Sequence, residues 1–69
     1  MKAETAFIKM MKGICVRITP EGRAFWTKDM ILTNIGQWFR IKKVGSDSVD
    51  LVGQYHETIR SFPLKYVRE

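Results

Sequence analysis

The alternation of apolar and polar side chains divides the chain into a short opening segment of helical period and a longer remainder of strand period. Residues 3–12, AETAFIKMMK, with Ile14 beyond them, place Ala3, Phe7, Met10, Met11 and Ile14 at i, i+4, i+7, i+8 and i+11. That spacing lays one apolar stripe along a helix, with Lys2, Glu4, Thr5, Lys9 and Lys12 mostly off it. Gly13 stands where a left-handed residue would close the helix, and Lys12 suits the negative end of its dipole. Such a helix would pack across the open end or face of a sheet. An extended arm, FIKMMKGICVRI, is the competing reading of the same residues.

From Ile14 the period changes to two. Ile14, Val16 and Ile18 alternate with Cys15, Arg17 and Thr19, the pattern of a half-buried strand. Thr19-Pro20-Glu21-Gly22 reads as a turn, because Pro20 presets φ and Gly22 tolerates any exit angle. Arg23 to Thr27, with Phe25 and Trp26, reads as a returning segment, either a strand or one arm of a long loop. Lys28 to Thr33 is open between one helical turn and a loop, and Asn34-Ile35-Gly36 supplies a turn. Trp38 to Val44 gives the clearest strand. Phe39 and Ile41 share one face, Trp38, Arg40 and Lys42 share the other, and the alternation slips at Lys43-Val44 as a bulge or strand end would.

Gly45 to Ser48 forms a hairpin loop, and Val49 to Gly53 returns with Val49 and Leu51 inward. After the polar connection Gln54 to Glu57, Thr58 to Phe62 makes a last strand ended by Pro63, which cannot donate to a ladder. Five short strands with turn signals every ~8–12 residues predict a small barrel or sandwich. The expected core is Phe39, Ile41, Val49, Leu51, Phe62 and Val67.

The closing residues Ser61-Phe62-Pro63-Leu64-Lys65-Tyr66-Val67 resemble the closing motif of SH3 domains: a core residue before a Pro, one 3₁₀ turn, a Tyr and a last-strand Val. The hairpin IKKVGSDSVDLVG sits where that layout would put it. The resemblance is specific over Ser61–Val67 and general over Ile35–Val67. It extends to small SH3-like barrels of bacteria and their phages. It implies a mainly β, five-stranded SH3-like barrel over residues 13–69, preceded by a helical arm over 1–12 that caps the barrel or mediates dimerisation. Phe62 and Val67 would then be core, with Pro63 and Tyr66 facing the groove that takes proline-rich ligands in that family. The chain departs from the family's ligand-binding pattern. It has no Ala-Leu-Tyr-Asp-Tyr-like segment, few acidic residues in the loop from Thr19 to Asn34, and no tryptophan pair on Val49–Val52. The resemblance therefore speaks for the fold rather than for proline-rich binding.

Composition narrows the function classes. Sixty-nine residues allow one domain with one small core, which self-association would extend. At 45% hydrophobic and 28% charged, the chain is too apolar for a disordered tail. Twelve Lys and Arg against seven Asp and Glu give a net charge of +5, which suits an anionic partner as well as a merely solvated surface. A single cysteine, Cys15, excludes an internal disulfide and a multi-cysteine zinc site. The absence of a long apolar run and of a leader pattern leads to an expectation of a cytoplasmic protein with no membrane partner.

His56 is the lone histidine, and Arg17 is the only charge flanking Cys15, so neither offers an activated base or nucleophile. The expectation is a non-enzyme without cofactor or metal. Two binding readings stand beside each other. The first is a protein-interaction module, an adaptor or modulator, docking a partner through Trp26, Trp38, Tyr55, Pro63 and Tyr66. The second is a nucleic-acid binder using Arg40, Lys42 and Arg60 on one sheet face, with Trp38 or Tyr55 stacking on bases.

Overall fold

The computed structural model describes residues 1–27 and 38–69, with all their side chains except those of Trp26 and Thr27. Helix α1 covers Ala3–Lys12 and ends as its sequence requires. Gly13 adopts φ 69°, a conformation that costs a residue without a Cβ nothing. Its N–H donates to the Met10 carbonyl at 3.2 Å, and that of Ile14 donates to Lys9 at 2.9 Å, which satisfies two carbonyls of the last turn.

The helix packs with a different face from the expected stripe. Ala6 is fully buried, with Ala3 and Met10 half-buried beside it, whereas Phe7, Met11 and Ile14 are exposed. A methyl group at the contact lets the helix backbone approach β2 closely, and the larger side chains of the stripe flank that contact rather than fill it.

After α1 the order is β1 (Arg17–Ile18), α2 (Pro20–Thr27), β2 (Phe39–Val44), β3 (Ser48–Gly53), β4 (Thr58–Pro63), a 3₁₀ turn (Leu64–Tyr66) and β5 (Val67–Arg68). The described residues thus hold five strands in two antiparallel sheets, β2-β3-β4 and β1-β5. Val16 joins them. It exchanges two 2.8 Å backbone hydrogen bonds with Phe39, while the next residues pair as Arg17 with Arg68 and Ile18 with Val67. Every residue expected in the core is buried, together with Ala6, Val16, Ile18, Ile59 and Leu64.

The segment from Thr19 to Thr27 corrects the sequence reading. It forms a helix rather than a turn and a returning strand or loop. The Thr19 hydroxyl accepts from the Gly22 N–H at 3.0 Å, Pro20 occupies the first helical position and Glu21 the first turn. A Thr-Pro-Glu start is a helix signature, since Pro needs no N–H partner there and the carboxylate suits the positive end of the dipole. The expectations for Lys28–Thr33 and Asn34–Gly36 lie outside the described residues.

Both hairpins carry irregularities. The β2–β3 register shifts between Ile41 and Lys43, close to the slip visible in the sequence, and leaves Lys42 and Lys43 both exposed. The β3–β4 register shifts between Val49 and Leu51. There Ser61 takes φ 54°, and its N–H donates to Asp50 Oδ1 at 2.9 Å.

Gly22 tests this packing by the sign of an effect. Ala normally stabilises a helix by about 1 kcal/mol relative to Gly. Here its Cβ would collide with the Tyr66 side chain and stand 2.9 Å from Ile18 Cγ2. Gly22→Ala is therefore expected to lower unfolding free energy in urea by about 1–3 kcal/mol. A gain in stability would contradict the close approach of α2 to the 3₁₀ turn.

Candidate nucleic-acid interface

One end of the three-stranded sheet is built where Phe39 pairs with Gly53. The turn Gln54–Glu57 closes it. The Gly53 N–H donates to the Glu57 carbonyl at 2.7 Å, the His56 N–H donates to the Gly53 carbonyl at 3.0 Å, and His56 takes φ 67°. Trp38 precedes β2, and its N–H donates to Gln54 Oε1 at 3.4 Å. Trp38 is 43% exposed.

Arg17 lies over one face of the ring. Alternation on β1 turns it away from the buried Val16 and Ile18, and its guanidinium carbon lies 4.0 Å from the Trp38 ring centroid. A cation over an indole is attracted by about 0.5–2 kcal/mol and holds the ring in a fixed plane. Cys15, Trp38, Arg40, Val52, Gln54 and His56 line an open cleft of about 320 Å3 beside it. Among the described lining residues none is acidic. The nearby carboxylate of Glu57 packs over Gly53, with Oε1 buried and without a hydrogen-bond partner.

From this cleft the exposed surface of the sheet runs basic. Arg40 lies opposite Val52, Lys43 lies opposite Asp50, and Lys42 and Arg60 are exposed. Strand β3 separates Arg60 from β2, about 10 Å across two strand spacings. Asp50 is the one acidic side chain on β2, β3 and β4, and it is engaged by the Ser61 N–H.

The four described aromatic and proline candidates, Trp38, Tyr55, Pro63 and Tyr66, do not form one surface. Tyr55, 62% exposed, belongs to the turn at the Trp38 end. Pro63 pairs with Ser48 at the opposite end, about 16 Å away along the strands, and lines a separate cleft of about 720 Å3 with Met1, Lys2, Asp47 and Lys65. Tyr66 is half-buried. Phe25 of α2 lies 5.3 Å from its ring, Phe62 lies 6.1 Å away, and Lys65 Nζ is 5.0 Å from its centroid. The Thr19 N–H donates to the Tyr66 carbonyl at 2.8 Å, so α2 stands against the face that the SH3 resemblance would leave for a ligand. The Trp26 side chain lies outside the described residues.

Arg17 was absent from the sequence candidates. Its outward position is readable from alternation, but its pairing with a ring twenty-one positions later is not. Among the described residues no three His, Cys, Asp or Glu side chains gather to hold a metal, and no helix is long and apolar enough to cross a membrane. Comparison with family models, with curated proteins and with solved structures finds no match for this chain.

Cys15 reports on the cleft directly. It is a free, exposed thiol beside Trp38. An aromatic disulfide reagent is expected to titrate one thiol per chain in the folded protein without denaturant. Reaction only after unfolding would contradict the open cleft.

Proposed function

We propose that this chain is a small cytoplasmic, non-enzymatic SH3-like β-barrel that binds single-stranded nucleic acid. The observation that supports this best is the exposed Trp38 ring, backed by Arg17 and adjoining Arg40 in a cleft with no acidic side chain among its described lining residues. An unpaired base stacks on the free indole face, and a base–aromatic stack contributes about 1–3 kcal/mol whatever the base. Arg17 and Arg40 neutralise the phosphates flanking that base, and the backbone continues over Lys42, Lys43 and Arg60. A duplex keeps its bases stacked inside and offers nothing to Trp38, so the site prefers single strands.

A net charge of +5 supports the same reading, because condensed counterions released from the strand drive association. The covering of Tyr66 by α2 argues against a proline-rich ligand there. A second reading, the protein-interaction module, has its own support in the apolar side chains that α1 leaves exposed.

Labelled oligothymidylate titrated at several salt concentrations tests the leading reading. Phosphate contacts from those five side chains predict a log–log salt slope of about −3.5 for a single strand. Trp38→Ala is expected to weaken binding about 5- to 100-fold at unchanged slope. Arg40→Ala should flatten the slope by about 0.7. Absence of binding at low salt and high micromolar protein would remove the proposal, as would binding indifferent to both substitutions.

A further inference from the structure

The outward face of α1 is apolar where a solvated helix would be charged. Phe7 and Ile8 are each 51% exposed, Met11 is 69% exposed and Ile14, just past the cap, is 43% exposed. Phe7 and Met11 stand one turn apart, with Ile8 beside them. Roughly 400 Å2 of contiguous apolar surface results, within the range at which a monomer's largest patch is often functional.

The charges bordering this patch indicate what covers it. Glu4, Ile8 and Lys12 follow one another at i, i+4 and i+8, so one row carries an acid, an apolar centre and a base. Glu4 and Lys12 are both exposed, and among the described residues neither has an ion-pair partner. Lys9, on the other side of the helix, is held by Glu69 at 3.2 Å. An antiparallel second helix with a two-fold axis at Ile8 sets Glu4 against Lys12 of its mate twice over, across about 12 Å of helix. The apolar residues then meet each other around Ile8. The parallel arrangement instead sets Glu4 on Glu4 and Lys12 on Lys12.

We infer that α1 is a homodimer interface, in which two copies of this chain pair their helices antiparallel through Phe7, Ile8 and Met11 with reciprocal Glu4–Lys12 contacts. Two such patches bury on the order of 800 Å2, less than the roughly 1,200 Å2 of a stable specific interface, so the dimer is a weak one that exchanges with monomer. This inference is independent of the nucleic-acid reading, because none of its residues lines the Trp38 cleft.

Sedimentation of the purified full chain from about 10 μM to about 1 mM should show concentration-dependent dimer. Ile8→Lys, checked for unchanged circular dichroism, should remain monomeric throughout. Glu4→Lys and Lys12→Glu each replace two attractions by two repulsions, and each should weaken self-association roughly tenfold. Mixing those two variants restores both pairs, and the mixture should dimerise at least as well as the unsubstituted protein. A monomer at every concentration would overturn the inference and leave the face to a different partner. Variants that dimerise unchanged, or a mixture that fails to recover, would overturn it equally.

Discussion

The contact that most of the architecture depends on is the approach of α2 to Tyr66 across Gly22. A helix comes this near to a neighbouring segment only where a side chain is missing, and a Cβ at Gly22 would overlap Tyr66 and crowd Ile18. Those two residues belong to the short sheet and the 3₁₀ turn beside it, while Phe62, third member of the aromatic cluster with Phe25 and Tyr66, belongs to the three-stranded sheet. One glycine therefore lets a single helix brace both sheets. A chain of 69 residues has a small core and a thin stability margin, so the loss of one such contact weighs more than it would in a larger domain.

The same contact decides which surfaces remain for binding. With Phe25 on the Tyr66 ring and Thr19 bonded to its carbonyl, the closing segment of the chain is taken up in packing against α2. The opposite end of the three-stranded sheet carries the Trp38 cleft. There Arg17 of β1, Trp38 before β2 and the turn after β3 converge, because the Val16–Phe39 bridge brings the first strand alongside the second. The site is thus a consequence of the joint between the sheets. Among the described residues, Asp50 accepts from the Ser61 N–H and the Glu57 carboxylate packs over Gly53, so neither is among the side chains lining the cleft.

Much of this was legible in the residues, and the parts that were not share a cause. Local patterns identified α1 and its Gly13 cap, β2 with an irregularity near Lys43 that reads equally as bulge or strand end, the hairpin and the strand ended by Pro63, because each rests on neighbours a few positions apart. Thr19-Pro20-Glu21 was equally local, but turn chemistry and helix-start chemistry use the same residues, and the aromatic pair after them suited a returning strand or a loop arm. The orientation of α1 was not legible. Ala6 wins the buried position over Phe7 because of how closely the helix meets β2, a distance that no periodicity encodes. Residue type alone made Trp38, Tyr55, Pro63 and Tyr66 docking candidates without placing them, and register sends Trp38 and Pro63 to different ends of the sheet.

The central claim, that the Trp38 end is the binding surface and the Tyr66 end is closed, is tested most directly by amide and indole chemical-shift mapping. Oligothymidylate should move the Trp38 indole and the amides of Arg17, Arg40 and Gln54–His56, leaving Leu64–Tyr66 still. A proline-rich peptide should move neither set. Shifts confined to Pro63–Tyr66 with either ligand would contradict the account.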